Sequence, residues 1–343
     1  MSGRLTSLDV LRSLAIILVM TAHIILGFGA PASLAPLQLG GIGVDLFFVL
    51  SGWLLGGQLF REVANTNSID IRRFWYRRWI RTLPAYYAVL GFVSFQQLIT
   101  KENWHLPLDY LVFVQNYNQP FEIFHVSWSL AVEEQFYLLV APVVFLIWRF
   151  RPSVRLAILL AFLATPGIFR LLGWYDNEYQ THIRIDGCIA GVLLAYLKNQ
   201  HVDVWRFLEK HSAALFGLST VMFALYFFQR YVPLPLISDP DIIERALVFS
   251  GWLVFAVTTS GKAYWHIPGA HYIATRSYAL YLLHPEAIAL INRLDLPVPF
   301  LIYYGLVFGL SLMIAEVLYR TVELPFLSLR DRIVPAKTVR VSS

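Results

Sequence analysis

A histidine, His23, lies inside an apolar run that begins near Leu8 and is long enough to cross a bilayer. Ionisable residues are rare within membrane segments and by default indicate a functional site. Arg12 lies within about 20° of His23 on one helix face and about 16 Å away along the axis, and Asp9 is on the same stripe. We predict that this face points into a helix bundle or along a polar path. The alternative is that His23 only hydrogen-bonds a neighbouring helix.

Three carboxylates lie at a similar depth in other apolar segments: Asp45, Glu133 and Glu134. Counting helical rise from the predicted outer ends places them and His23 roughly 7–11 Å below the outer surface. A carboxylate on one ring nitrogen would orient the imidazole and leave the other nitrogen to act as a general base. Because Glu133 and Glu134 diverge by about 100°, only one of them is expected to face His23. The alternative for each carboxylate is an ion pair with an arginine that serves packing.

The chain that carries these residues is very apolar. Of its 343 residues, 57% are hydrophobic and 14% are charged, whereas soluble domains average roughly 25% charged residues. This composition predicts an all-α, polytopic membrane helix bundle. Since a bilayer core needs about 20 apolar residues per helix, we predict ten spans, near residues 8–28, 38–60, 83–100, 128–148, 155–173, 184–198, 212–230, 243–261, 276–293 and 299–320.

The distribution of basic residues predicts the orientation. With the N-terminus inside, the inner segments hold 20 Lys and Arg residues and the outer segments hold 5, so both termini are predicted to be cytoplasmic. The net charge of +5 is not interpreted as nucleic-acid binding, because the basic residues cluster between apolar runs. The first apolar stretch is too long for a signal peptide and is interpreted as a retained span.

One membrane domain is predicted over residues 1–330, followed by a short disordered cytoplasmic tail over 331–343. Gly187 and Gly191 in the short sixth span predict close packing against a neighbouring helix. The apolar stretch at 109–117 is too short to span and predicts a re-entrant or interfacial segment.

Several segments, in order along the chain, carry a family resemblance. The spacing of Arg12 and His23 resembles the first-helix motif of the acyltransferase 3 family, integral membrane enzymes that O-acylate sugars and related acceptors. Six further segments resemble later blocks of that family: GGIGVDLFFVLSGWLL at 40–55, RRWIRTLPAYY at 77–87, WSLAVEEQFYLL at 128–139, RIDGCIAGVLLAY at 184–196, SYALYLLH at 277–284 and YRTVELPF at 319–326. Trp53 stands where the family usually has Phe. Many members carry a hydrolase-like domain after the last span, and none is expected here.

The resemblance implies acyl-CoA as the donor, usually acetyl-CoA. No metal is expected. The segment 61–81 forms a basic loop with six arginines on the predicted inner side, where CoA is found. An arginine fork donates two parallel hydrogen bonds to a phosphate. Arg78 and Arg81, at the Arg-x-x-Arg positions of the family, are therefore expected to bind the donor. The alternative is that the basic loop serves topology alone.

Further candidates for the donor path lie in the first and ninth spans. Ser277 and Tyr281 are expected to line the route of the pantetheine arm toward His23, and Arg12 is another donor-binding candidate. Packing is the alternative for each. His284 is placed about 12 Å from the inner surface, so it is expected not to be level with His23. It would then hydrogen-bond across the bundle or line the donor path.

Candidates for acceptor binding lie near the predicted outer surface: Arg184, Asp186 and Trp128. They could guide a sugar acceptor, or they could fix helix ends and form part of an interfacial aromatic belt. His105 and His125 lie in the same outer region, in the loop 101–127.

We therefore predict a bacterial inner-membrane O-acyltransferase in which His23 is the general base. A ping-pong route through an acyl-histidine is left open. The expected partners are acyl-CoA, membrane lipid and a sugar, glycan or glycolipid acceptor. The competing hypothesis is a transporter or flippase of a lipid-linked sugar without acyl transfer. A transporter is expected to show internal repeats with broken helices, and the sequence shows no convincing repeat. The single cysteine, Cys188, excludes an intrachain disulfide.

Overall fold

The computed structural model describes residues 5–101, 108–119, 121, 123–232 and 241–335. Within that part of the chain every regular element is helical and no strand occurs, as the composition predicted. The α-helices are α1 (Thr6–Gly27), α2 (Gly43–Thr66), α3 (Ile71–Thr100), α4 (Leu108–Leu111), α5 (Ser127–Ile147), α6 (Pro152–Leu171), α7 (Thr181–Arg184), α8 (Asp186–Gln200), α9 (Val202–Lys210), α10 (Ser212–Phe228), α11 (Ile242–Thr258), α12 (Ala270–Arg293), α13 (Phe300–Leu318) and α14 (Leu324–Ile333). A 3₁₀ segment, Ala32–Ile42, precedes α2, and a π-helical turn, Tyr319–Glu323, joins α13 to α14.

A helix coincides with each of the ten predicted spans. By length and composition, five of the described segments could cross a membrane: Thr6–Gly27, Ala32–Thr66, Ser127–Ile147, Pro152–Leu171 and Phe300–Ile333. The pair α9 and α10, bent by 65°, adds a sixth if the two helices form one span. These helices indicate an integral membrane protein. The count of ten spans and the cytoplasmic position of both termini stay predictions.

The third helix begins well before its apolar part. Asp70 caps α3, and its side chain accepts a hydrogen bond from the Arg73 amide at 3.0 Å. Five of the six arginines assigned to a basic loop therefore lie on α3, and Arg61 lies on α2. The prediction of a loop over 61–81 is wrong because a hydropathy window does not detect a helix cap, which stabilises the polar first turns.

The last described helix reaches into the predicted tail. Helix α14 ends at Ile333, so residues 331–333 are helical, and residues 336–343 lie outside the described residues. Arg77 on α3 forms an ion pair with Asp331 at 3.0 Å. Arg73 donates to the carbonyl oxygen of Pro335 at 2.8 Å. These contacts attach the end of α14 to α3.

The described residues fall into two units. The first lies within Met1–Leu54 and Asp186–Ala315, and the second within Leu55–Ile185 and Glu316–Ser343. In the first unit, α1 packs on α12, and α11 packs on α8 and α10. In the second unit, α3 packs on α5 and α14. Residues 109–117 form only short helical turns, which confirms that this stretch does not span.

The close packing predicted at the glycines of α8 is confirmed. A Cβ atom added at Gly187 would lie 2.9 Å from a side-chain carbon of Phe48, and one at Gly191 would overlap the backbone of α2. Conversely, a Cβ atom at Gly52 would overlap the carbonyl group of Cys188. Helices α2 and α8 thus meet backbone to backbone, as small residues permit.

Trp53, the departure from the family pattern, has specific partners in the first unit. Its ring stacks on Trp205 of α9 with the centroids 5.5 Å apart. The Lys198 ammonium lies 5.4 Å from the Trp53 ring and 5.3 Å from the Trp205 ring. Both indoles are buried. The Trp53 indole, which is larger than the usual Phe ring, therefore takes part in a cation–π cluster that joins α2, α8 and α9.

Candidate active site

Helices α1 and α12 are hydrogen-bonded to each other near both ends. Near the start, the Ser13 hydroxyl donates to the carbonyl oxygen of Ala270 at 2.6 Å. Near the end, the Asn292 amide donates to the carbonyl oxygen of Gly27 at 3.1 Å. Both contacts use backbone carbonyl groups, so they fix the position of one helix along the axis of the other. Side chains that lie between these two levels are held in a defined register.

His23 meets His284 between these levels. Nδ1 of His23 lies 2.8 Å from Nε2 of His284, and the rings stack with centroids 4.9 Å apart and planes 24° apart. His284 is fully buried, and His23 is half-buried. His23 thus faces a neighbouring helix, as predicted. The group on its Nδ1 is an imidazole, whereas a carboxylate was expected to orient the ring; a carboxylate contact of His23 stays a prediction.

The prediction that His284 is not level with His23 is wrong. Helix α12 begins at Ala270, after Gly269 with φ of +80°, and not near residue 276. His284 therefore lies about 21 Å along α12, and His23 lies about 25 Å along α1. The apolar segment of α12 begins only after its polar first turns, so a depth that starts from the apolar segment is too small. The longer helix brings the two imidazoles together.

The stripe predicted on α1 faces α12. The Asp9 carboxylate accepts a hydrogen bond from Nδ1 of His271 at 3.0 Å. Asp9 and His23 therefore share the face of α1 that packs on α12, which confirms this part of the prediction. Arg12 is half-buried and lies about 16 Å from His23 along the axis.

Both donor-path candidates on α12 lie on the face that carries His284. Ser277, Tyr281 and His284 are spaced by four and three residues, which places them on one side of a helix. The Tyr281 ring is buried and its centroid lies 5.9 Å from that of His284. Ser277 lies one turn earlier, where its hydroxyl donates to the carbonyl oxygen of Ala274 at 3.0 Å. The structure thus brings Tyr281 to the imidazole pair.

Asp45 forms an ion pair in the first unit. Its carboxylate lies 3.6 Å from the guanidinium of Arg245 on α11, with the side chains 2% and 24% exposed, respectively. The alternative of an arginine partner is therefore realised for Asp45. A catalytic role for Asp45 stays a prediction.

Glu134 lies in the second unit, between α5 and α3. Its side chain is buried, and Oε1 lies 2.6 Å from the Thr82 hydroxyl. Arg78, one turn before Thr82, is within electrostatic reach of this carboxyl group. Glu133 is half-buried and points about 100° away around α5. That one of these two glutamates faces His23 stays a prediction.

Arg78 and Arg81 lie three residues apart on α3 and so on the same side of the helix. Arg78 is half-buried, and its guanidinium donates to the Gln58 side chain at 3.4 Å and lies 6.0 Å from the Phe74 ring. Arg81 is exposed. The two arginines therefore lie on one helix surface, from which both guanidinium groups can reach the same anionic ligand.

Two of the three acceptor candidates contact each other in the second unit. The Arg184 guanidinium is buried and lies 4.9 Å from the centre of the Trp128 ring. Trp128 in turn lies 5.1 Å from the Tyr179 ring. Asp186, which belongs to the first unit, is fully buried in the first turn of α8.

His125 extends this aromatic group. Its ring lies 5.8 Å from Tyr179 and 5.1 Å from Phe121. Burial lowers the pKa of His125, and the carboxylate of Glu178 only partly opposes this effect. His105 lies outside the described residues.

Sequence reasoning gave His284 either a hydrogen bond across the bundle, which its contact with His23 confirms, or a place on the donor path. It did not assign Arg245 or His271 to the site. The signal for His284 was its position seven residues after Ser277, on a helix face already chosen for the donor path. Arg245 and His271 gave no signal beyond their charge. Within the described residues, no three His, Cys, Asp or Glu side chains are grouped as metal ligands.

Residues 5–320 match the acyltransferase domain family Acyl_transf_3. Similar curated proteins include peptidoglycan O-acetyltransferase OatA of Listeria monocytogenes, which is 27% identical over 93% of this chain and 55% of its own length. O-acetyltransferase OatA of Staphylococcus aureus strain NCTC 8325 is 27% identical over 94% of this chain and 57% of its own length. The chain thus spans about half the length of the curated relatives it matches. No solved structure matches it.

Proposed function

The chain belongs to the acyltransferase 3 family, and from that premise we propose that it is a membrane O-acyltransferase. The proposed donor is acyl-CoA, specifically acetyl-CoA, and the acceptor is a hydroxyl group of a sugar, glycan or glycolipid. The observation that carries the proposal is the hydrogen-bonded pair of His23 and His284 on adjacent helices. An imidazole held by a second group is suited to general-base catalysis.

In the proposed reaction, His23 removes the proton from the acceptor hydroxyl while the oxygen attacks the thioester carbonyl carbon. A C–O bond forms, the C–S bond breaks, and CoA leaves as a thiolate. The imidazolium of His23 then returns the proton to the sulfur, which gives CoA and the O-acyl product. In the alternative two-step route, a ring nitrogen of His23 attacks the thioester and forms an acyl-histidine. The acceptor hydroxyl then takes the acyl group from this nitrogen.

Arg78 and Arg81 are the proposed donor-binding residues. Their position on one side of α3 supports this role, because two forks at fixed spacing can bind phosphate groups on the cytoplasmic side. On α12, Ser277 and Tyr281 lead along one helix face to His284. This arrangement supports a path for the pantetheine arm. Arg12, on the face of α1 that carries Asp9, is a further candidate on that path.

Arg184 and Trp128 are the proposed acceptor-binding residues, with Asp186 at the start of the next helix. A buried guanidinium stacked on an indole offers donors beside an aromatic face, which suits a sugar ring. The name of the Listeria relative supports a cell-wall glycan such as peptidoglycan as the acceptor. We place the protein in the bacterial inner membrane, with the donor site inside and the acceptor at or beyond the outer face.

The test is mass spectrometry of cell-surface glycans from cells that carry the wild-type chain, His23→Ala, His266→Ala or no copy. His266 is an exposed histidine in the segment before α12 and serves as the matched control. We expect acetyl groups with wild type and His266→Ala, and none with His23→Ala at equal membrane abundance. Glycans identical with and without the protein would contradict the proposed activity. Full acetylation by His23→Ala would contradict the role of His23.

A further inference from the structure

We infer that His284 is a positioning residue that fixes the tautomer of His23, so that Nε2 of His23 is the nitrogen that takes up and returns the proton. The inference rests on the proposed function for its catalytic consequence. The tautomer itself follows from the hydrogen bonds of the two rings and can be measured independently.

The argument begins at the far nitrogen of His284. Its Nδ1 lies 3.0 Å from the carbonyl oxygen of Leu280. A carbonyl oxygen only accepts hydrogen bonds, so Nδ1 of His284 carries the hydrogen. His284 is fully buried, and a buried charged ring is costly. A neutral imidazole has one N–H group, so Nε2 of His284 holds a lone pair and accepts.

The residue after His284 changes the backbone hydrogen bonding beside its ring. Pro285 follows directly and has no amide hydrogen. It therefore cannot donate to the carbonyl of Tyr281, four residues earlier, as other residues in a helix do. The carbonyl groups of Leu280 and Tyr281 both interact with the His284 ring. Pro285 thus removes the helical donor from one of these two carbonyl groups, that of Tyr281, whereas the carbonyl that Nδ1 contacts at 3.0 Å is that of Leu280.

The accepting nitrogen of His284 determines which nitrogen of His23 is the donor. Nδ1 of His23 lies 2.8 Å from the accepting Nε2 of His284, so Nδ1 of His23 must be the donor. The proton-exchanging nitrogen of His23 is consequently Nε2. When His23 gains a proton there, its Nδ1–H bond to His284 becomes charge-assisted and stronger. His284 stabilises the imidazolium although it carries no charge itself.

The direct test is ¹⁵N NMR of the full-length protein with ring-labelled histidine, purified in detergent, at a pH where His23 is neutral. His23→Ala identifies the His23 signals among the nine histidines of the chain. We expect a protonated Nδ1 and an unprotonated Nε2 for His23. The reverse pattern would overturn the inference, whatever the activity of the protein.

The catalytic consequence is tested with two variants of His284. His284→Leu removes the acceptor, and His284→Gln can present its amide oxygen to Nδ1 of His23. We expect His284→Leu to lower kcat about a hundredfold or more with little change in the KM for acetyl-CoA. His284→Gln should recover part of this loss. A kcat of His284→Leu equal to wild type, while His23→Ala is inactive, would overturn the positioning role and leave the proposed function intact.

Two results separate this inference from the proposed function. Full activity of His23→Ala with the predicted NMR pattern would overturn the proposed function and support the tautomer assignment. If His284→Leu does not fold, the NMR measurement on the wild-type chain still decides the assignment.

Discussion

Asp45 and Arg245 form an ion pair between α2 and α11 in which the carboxylate is almost completely buried, at 2% exposure, and the guanidinium is 24% exposed. Arg206 and Asp203 on α9 have a similar separation, 3.5 Å against 3.6 Å, but are 73% and 99% exposed. The two pairs thus have similar separations but differ in their access to solvent, and the exposed pair lies within one helix. Coulomb energy is screened far less in a buried site than at a surface.

A double-mutant cycle should detect this difference. For Asp45→Asn and Arg245→Gln we expect a coupling free energy of about 1–3 kcal/mol, between the values for surface and fully buried pairs. The same cycle with Asp203→Asn and Arg206→Gln should give no measurable coupling. The measurement is the free energy of unfolding in detergent for each member of the cycle. Equal coupling in both cycles would contradict the effect of burial.

Two glycine substitutions should have opposite effects on stability. Gly191→Ala forces a methyl group into the backbone of α2 and should lower the free energy of unfolding by about 1–3 kcal/mol. Gly217→Ala on α10 adds a methyl group with nothing within 4 Å, so it should raise stability by about 0.5–1 kcal/mol. Thermal unfolding of both purified variants checks this. A Gly191→Ala variant as stable as Gly217→Ala would show that α2 and α8 do not pack backbone to backbone.

Removal of one donor-site arginine should weaken donor binding. Arg78→Ala and Arg81→Ala should each cost roughly 1.5–3 kcal/mol, or about a ten- to hundredfold rise in the KM for acetyl-CoA. The KM for the acceptor should change far less. Arg81→Lys should recover only part of the loss, because an ammonium restores the charge but not the planar fork. Steady-state kinetics with both substrates varied gives these constants.

The control for these variants is Arg72→Ala. Arg72 is exposed on the same helix and lies about 180° around the axis from Arg81. It should leave the KM for acetyl-CoA unchanged. If Arg72→Ala raised the KM for acetyl-CoA as much as Arg81→Ala does, the effect would be one of positive charge in general. That result would contradict a specific donor site at Arg78 and Arg81.

Accessibility of introduced cysteines should define the orientation. In a Cys188→Ala background, a cysteine at Asn65, exposed near the end of α2, should be shielded from a membrane-impermeant thiol reagent in intact cells. A cysteine at Asn118, exposed between α4 and α5, should be labelled. The opposite pattern would invert the proposed topology and place the α3 arginines where CoA does not occur.

The positions of the helices were predictable because hydrophobic runs identify buried segments directly. Their ends were less predictable. The polar first turns of α3 and α12 depend on Asp70 as a cap and on Gly269 with a positive φ. Neither feature changes mean hydropathy, so both helices begin earlier than the apolar pattern indicates.

Individual residues of the candidate site were predictable from the sequence, but the contacts between them were not. His23 was predictable because it is an ionisable residue within an apolar segment, and Asp9 because it lies on the same helix face. His284, which contacts His23, lies 261 residues away in the sequence, and an offset of one or two turns in the start of α12 changes its depth by several ångströms. Tertiary contacts between polar residues in different spans depend on such register, which one sequence does not contain.

The contact between α2 and α8 has a practical consequence for the thiol of Cys188. That side chain is completely buried where the two helices meet. A thiol reagent can reach it only after α2 and α8 separate, so the unmodified chain contains its own reporter of local opening. At low reagent concentration in detergent, the labelling rate measures the equilibrium for this opening. Comparison with the rate of global unfolding then shows whether the helix pair opens separately from the rest of the protein.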